Sequence, residues 1–412
     1  MPRPWLLLFG GAALAVHAAP SPLLNSSPAV HHSVIEGVRA DMPRADSTSV
    51  VELPGGDLMV FYQRFEGGGS AHDHAMSRVW TRVSHDDGRT WVEPRMLVDS
   101  LPGDINVGMP AAVLLPSGEL LMVCLRTHNP SSSTMCVFRS SDHGRTFVEG
   151  PPVWRHSAGI FLQGGATSIV RLTSGRILLP FIYCPPGKDT RKIGASCFVS
   201  DDSGHTWRRT PAKLELPRRG ADEPSVAELD GGLLVMSIRT QLGGPYLSRS
   251  RDGGESWSGP EPAGWTQTGG IPLHGTESCT CLRRIPGTNA LMLLWNNAEY
   301  HMNADHSGAR TPLTAAVSVD AGDSWTIVSE VAAGQNYEFT NPNCTFTSKG
   351  EAVVTCMSGY HARPWPARGF DVKFDLLAEV IEPAWWQAAL ASALAAAAAP
   401  PPAYHVPGSD KP

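Results

Sequence analysis

One octapeptide occurs five times in this 412-residue chain, and nothing else in the sequence restricts the fold as strongly. Its pattern is S-x-D-x-G-x-[ST]-[WF]. The first copy carries Ser84, Asp86, Gly88, Thr90 and Trp91; the second Ser140, Asp142, Gly144, Thr146 and Phe147. The third carries Ser200, Asp202, Gly204, Thr206 and Trp207, and the fourth Ser250, Asp252, Gly254, Ser256 and Trp257. The last carries Ser318, Asp320, Gly322, Ser324 and Trp325. The residue types describe a turn. Asp accepts from nearby backbone N–H groups, Gly supplies a positive φ, the hydroxyls satisfy further turn groups, and the ring enters a core. The five aspartates are therefore read as structural.

A second element recurs six times: an apolar alternating run, a Gly turn and a second apolar run. The turn glycines are Gly56, Gly118, Gly175, Gly231, Gly287 and Gly350, inside segments 50–63, 112–125, 168–182, 226–238, 281–294 and 344–357. Each reads as a β-hairpin, and each of the first five is followed by one copy of the octapeptide. The repeating unit is thus four antiparallel strands with a stapled turn. This predicts an all-β fold, a six-bladed β-propeller over 33–383, whose sixth blade lacks the staple and is completed by strands from both ends of the chain. A β-helix is the alternative. The 41 Gly and 35 Pro against 17% charged residues exclude a coiled coil, and 12 Trp with 12 Phe exclude a disordered chain. A net charge of −6 offers no basic field, so no nucleic-acid partner is expected.

The ends read differently from the middle. Residues 1–18 have one positive charge, a short apolar run and small residues near Ala18, as a secretory signal peptide does, and this predicts a secreted or extracellular protein. No stable membrane insertion is expected. Residues 384–412 read as an Ala/Pro-rich tail starting with a short helix. In an exported chain, Cys124/Cys136, Cys184/Cys197 and Cys344/Cys356 are candidate cross-strand disulfides, leaving Cys279 and Cys281. Asn25 and Asn343 head glycosylation sequons. No cofactor and no metal are expected, since the cysteine spacings do not fit zinc and His72-Asp73-His74 reads as a polar loop.

Topology then sorts residues by face. Eight residues past the turn glycines come Arg64, Arg126, Tyr183, Arg239, Trp295 and Ser358, at the end of the blade where a ligand is expected. Arginines there fit a carboxylate. Glu223, at the entry to the fourth hairpin, is expected to meet Arg239, and Glu277 and Trp295 to lie on the same face.

The five octapeptides resemble the Asp-boxes of the sialidase superfamily. The stretch from Glu223 to Arg239 resembles that family's Glu and second Arg, and Arg310, eight residues before Ser318, resembles its third Arg. Asp73 sits where the family's acid/base Asp is expected. The family's first Arg falls on Asp46, with Arg39 and Arg44 out of register, and its Tyr nucleophile falls near Asn341, with Tyr337 four residues early. The resemblance implies an exo-acting glycoside hydrolase that releases a terminal acidic sugar from a glycan. Asp73, Glu223 and Tyr337 are the catalytic candidates. Arg239, Arg310, Arg64, Arg126, Arg44 and Trp295 are the substrate-binding candidates. Glu223 and Asp73 could also act on water directly. A non-catalytic acidic-glycan-binding propeller and a lyase acting on uronic acids, with His72, His74 or a Tyr as base, are the alternatives.

Overall fold

The computed structural model describes residues 29–66, 71–129, 132–155, 161–164 (backbone only), 169–184, 192–266, 272–302, 308–334, 336–361 and 373–398. The expected leader, Asn25 and the last residues of the tail lie outside these. Among the described residues the strands fall into six units, each built on four antiparallel strands that follow chain order in all but the sixth. Unit one comprises Arg44–Glu52, Leu58–Phe65, Ser77–Ser84 and Val92–Val98; unit two Asn106–Leu114, Leu120–Asn129, Ser132–Ser140 and Val148–Trp154. Unit three comprises Phe161–Gly164, Ile177–Cys184, Gly194–Ser200 and Arg208–Arg209, with Val170–Arg171 also on its second strand. Unit four comprises Asp222–Glu228, Leu234–Arg239, Tyr246–Ser250 and Glu261–Pro262. Unit five comprises Cys281–Arg284, Leu291–Asn296, Leu313–Ser318 and Ser324–Ala332, with Trp265–Thr266 parallel to the last of these. Unit six comprises Tyr337–Phe346, Ala352–Tyr360 and Phe374–Ile381, and its fourth strand is the N-terminal Val30–Glu36. One parallel bridge, Arg44 to Phe374, joins units six and one.

Second strands such as Ile177–Cys184 are buried along their whole length, because alternate residues face the units on either side. In unit one, Leu58, Val60 and Tyr62 pack on Val353 and Leu376 of unit six, while Met59 and Phe61 pack on Leu120 and Met122 of unit two. Comparable clusters fill every other junction between consecutive units. The first strands of five units, together with Val170–Arg171 of unit three, line one cavity of about 500 Å³.

The octapeptide forms the expected turn. Ser84 Oγ donates to Asp86 Oδ1 (2.8 Å) and accepts from Gly88 N (2.7 Å), and Thr90 N and Oγ1 donate to the two Asp86 oxygens at 2.8 and 2.7 Å. The same four bonds recur in the other copies. Thr146 and Ser140, by donating to it, hold the Asp142 carboxyl well below the usual range. The turn glycine has a second task, since it seats the turn on the preceding unit. Gly254 has φ 89°, and a Cβ there would stand 2.3 Å from Leu178 of unit three.

Three expectations change. None of the eight cysteines forms a disulfide. Cys124 and Cys136 are directly opposed, but Cys197 pairs with Pro180 and Cys344 with Val354, so those two proposed partnerships are out of register. Chain spacing alone does not set register. Asn343 is buried, with its amide bound to Thr48 O and its oxygen accepting from Arg283, which leaves no room for a glycan. The C-terminal helix Pro383–Ala398 starts before the alanine run and buries Trp386, Leu390 and Ala393 against the cluster between units five and six. Among the described residues no helix is long and apolar enough to cross a membrane.

Gly254→Ala combines an unfavourable φ with a clash against packed Leu178. It is expected to lower stability by about 2 kcal/mol or more, seen as a drop in Tm; an unchanged Tm would contradict the seating role of the turn.

Candidate functional site

The first strand of at least four units carries the same irregularity. One extra residue interrupts the pairing between Asp46 and Ser49, Gly108 and Ala111, Asp222 and Ser225, and Thr340 and Asn343. The residue starting each bulge has a positive φ: Ser47 (48°), Met109 (52°), Glu223 (36°) and Asn341 (52°). Three of them precede proline: Pro110, Pro224 and Pro342. Such a bulge re-aims a side chain that would otherwise lie across the sheet, and the left-handed backbone costs about 1–3 kcal/mol at a residue like Glu223. Glu223 of unit four and Asn341 of unit six thus occupy equivalent places at one end of the inner strands.

A chain of polar contacts connects these places. Arg239 Nη1 donates to Glu223 Oε2 at 2.6 Å, and its Nη2 donates to Glu277 Oε1 at 3.2 Å. Glu277 is also held by Arg219 (3.0 Å) and Gln241 (2.8 Å), and Arg310 Nη2 donates to the Glu277 carbonyl at 3.2 Å. Cys279 Sγ lies 2.7 Å from Glu223 Oε2 and 2.8 Å from Asn341 Oδ1. Asn341 Nδ2 donates to Asp46 Oδ1 at 2.7 Å. Arg44 binds Asp46 through Nε (3.1 Å) and also through Nη2, and reaches Asp73 through Nη1 at 2.7 Å. Units four, five, six and one are joined in this way. Arg239 and Arg310 are buried, whereas Asp73 is exposed.

The charges set one another's protonation. Burial works against ionised Glu223, but Arg239 and the Cys279 thiol outweigh it and hold its carboxyl below the ordinary value. Its neighbour Asp222 is pushed up to about 6 by burial and by the negative charge of Glu223. Arg44, the nearest cation, holds Asp73 down, and Arg310 adds to this. Burial and the charge of Arg239 lower Arg310.

The sequence-selected residues therefore divide. Glu223, Arg239 and Arg310 come together, and Arg44 and Asp73 join them through Asp46 and Asn341. Arg64 lies 4.0 Å over the Trp80 ring and pairs with Glu66 and Glu36. Arg126 is bound to Asp104 at 3.0 Å and to the Asp99 carbonyl. The reason is register. In unit four the turn has two positive-φ glycines, Gly231 and Gly232, and the closing bond Leu229 N to Leu233 O matches Leu53 N to Asp57 O in unit one. Gly232, not Gly231, is the equivalent of Gly56. Arg239 is thus one residue out of step with Arg64 and Arg126, and one step turns a strand residue to the other face. Trp295 is core, with Nε1 donating to His274 O at 2.9 Å. The Tyr337 ring stacks on Phe339 (5.8 Å) and meets Tyr360 edge-on at 5.1 Å. Sequence reasoning missed Cys279, Asp222 and Arg219. The residue-before-proline pattern on successive first strands was the available signal for the bulges.

Asp222 generates a stability prediction. Its folded value is raised, so ionised Asp222 is a burden that grows as pH rises from about 4 through 6. Asp222→Asn is expected to raise Tm at pH 7 and to lose that gain at pH 4. An equal gain at both pH values, or none at pH 7, would contradict the assignment.

Residues 56–354 match the family model described as a BNR repeat-like domain. No curated protein matches the chain. Among solved structures, a Dyadobacter fermentans protein of unknown function is 18% identical with a TM-score of 0.64, over 86% of this chain and 100% of that one. Trypanosoma rangeli sialidase is 14% identical with a TM-score of 0.66, over 89% of this chain but 61% of that one. The Hadza microbial sialidase Hz136 is 18% identical with a TM-score of 0.62, over 84% of this chain and 68% of that one. At these identities the likeness is one of fold, so an all-β, sialidase-like arrangement of antiparallel four-stranded sheets is shared. Because its matched segment spans most of the sheet units, the chain belongs to the BNR repeat-like domain family and carries the fold of the sialidase superfamily.

Proposed function

We propose that the protein is an exported, exo-acting glycoside hydrolase of sialidase type, releasing a terminal sialic acid or related acidic sugar. In this reading the six units close into a six-bladed propeller stapled by Asp-boxes. The six inter-unit clusters and a cavity lined by residues of all six units support that closure. One observation carries the functional reading: Glu223, Arg239, Arg310, Arg44 and Asp73 belong to one contact network at the bulged end of the inner strands.

The roles follow from charge. Arg239 and Arg310 receive the sugar carboxylate, and Glu277 braces both. Glu223, kept ionised by Arg239, is the base. Asp73 is the acid. Arg44 beside it holds it ionised, the wrong state for donating a proton. A substrate carboxylate competes for Arg44; once that guanidinium turns to the substrate, Asp73 loses its partner, its affinity for a proton rises, and it can protonate the leaving oxygen.

Asn341 favours a second reading. An amide occupies the bulge opposite Glu223 and cannot act as a nucleophile, which suits a propeller that binds acidic glycans without turnover.

Incubation with a fluorogenic sialoside is expected to release dye, and Glu223→Gln to slow release by about a hundredfold or more. Binding of acidic glycans without release would favour the binding reading, and an unsaturated product absorbing in the ultraviolet would indicate a lyase. Arg44→Gln is expected to lower kcat/KM and to move the high-pH limb of its pH profile upward, because the acid then keeps its proton to higher pH; an unmoved limb would count against Asp73 as the acid held by Arg44.

A further inference from the structure

We propose that Cys279 is the nucleophile of this site, taking the glycosyl group on Sγ with Glu223 as its base; this rests on the glycosidase reading above. Its place in the fold is the first argument. It precedes the first strand of unit five, between the bulges of units four and six, and its Sγ touches the side chains presented by both. A nucleophile beside a base that is itself oriented by a third group is the arrangement that activates weak nucleophiles. Here the three are Cys279, Glu223 at 2.7 Å and Arg239 at 2.6 Å from Glu223.

Its surroundings are the second argument. The other seven cysteines each lie in an apolar cluster. Cys279 lies in none of these, and its sulfur faces a carboxylate, an amide oxygen and, at 3.8 Å, the Arg239 guanidinium. Asn341 fills the facing position but has no nucleophilic atom to offer. Its Nδ2 is given to Asp46, so its oxygen must face the sulfur. The Tyr337 ring, stacked on Phe339 and edge-on to Tyr360, is packed into the junction of units five and six.

The chemistry suits an anionic sugar. Burial and the Glu223 charge keep the thiol protonated at rest, so an arriving carboxylate meets a neutral group. In the first step the Sγ–C bond forms at the anomeric carbon as the glycosidic C–O bond breaks. The thiol proton passes to Glu223, and Asp73 gives its proton to the leaving oxygen. In the second step water attacks the same carbon and gives a proton to Asp73, while the sulfur leaves and recovers its proton from Glu223. The sum is hydrolysis with two displacements, hence retention at the anomeric carbon.

The full-length protein is to be assayed with fluorogenic glycosides of sialic acid and of its deaminated relative, with the first-formed anomer followed by NMR. It is then to be treated with 2,3-difluorosialic acid and mapped by mass spectrometry. The same compound is held as a covalent intermediate in Trypanosoma rangeli sialidase. Expected are turnover with retention, an adduct on the peptide bearing Cys279, and loss of both in Cys279→Ala and Cys279→Ser at unchanged Tm, with turnover falling about a hundredfold or more. If either variant loses Tm, the adduct site in the wild type decides alone. Turnover with the adduct on another residue, with no adduct, or with an inverted first product overturns the nucleophile and leaves the hydrolase reading standing. No turnover of either glycoside by the wild type overturns the hydrolase reading and the nucleophile with it.

Discussion

Each sheet unit has two apolar faces and is soluble only when both are covered by neighbours. The octapeptide turn supplies part of that cover. Its glycine lets the backbone come within contact of the preceding unit, as Gly144 does at Met59, Gly204 at Leu121 and Gly322 at Leu247. An arginine of the preceding unit then reaches over to a turn carbonyl: Arg139 to Ser203, Arg176 to Gly253, Arg249 to Ala321. The repeat is therefore a clip between units as well as a staple within one. A charge-assisted bond to a carbonyl contributes about 1.5–3 kcal/mol where it is shielded from water, as the half-buried bonds of Arg176 and Arg249 are in part, and less at the exposed Ser203 carbonyl.

Once the sheets are held, their inner ends can carry groups that a small core could not tolerate. Arg239 and Glu277 are buried with Asp222 beside them, and an isolated charge there would cost several kcal/mol. Pairing removes most of this cost without neutralising the ions. What remains falls on Asp222, whose carboxyl holds its proton to about pH 6. The left-handed backbone at Glu223 adds local strain. Strain, buried charge and a bulge concentrated at one end of the inner strands distinguish that end from the octapeptide turns, where ordinary turn donors keep Asp86, Asp142, Asp202 and Asp252 ionised.

The repeats made the unit architecture legible: hairpins, staples and a sixth unit shared between the two ends of the chain all follow from spacing. The pairing of Glu223 with Arg239 was legible for the same reason. What failed was phase. Counting from Gly231 in place of Gly232 turned Arg239 onto the same face as Arg64 and Arg126, and those two are tied to Glu66 and Asp104 instead. Cysteine spacing failed likewise, since a two-residue offset removes Cys344 from Cys356. Cys279 was invisible because its surroundings come from Glu223 and Asn341, which are distant in sequence, and no local pattern marks a thiol that faces charge.

The strand Val30–Glu36 pairs with Phe374–Ile381, and Glu36 is clasped by Tyr62, Arg82 and Arg39. This N-terminal strand therefore waits for a strand more than 300 residues later. During ribosomal synthesis its backbone edge stays unsatisfied until Phe374–Ile381 has emerged, so unit one forms beside an open seam. Closing that seam is the longest-range event in assembly and carries the largest loop entropy, so it comes late. An incomplete chain would expose the edge of unit six to other strands, which makes aggregation of nascent fragments, rather than of the mature protein, the chief hazard of this architecture.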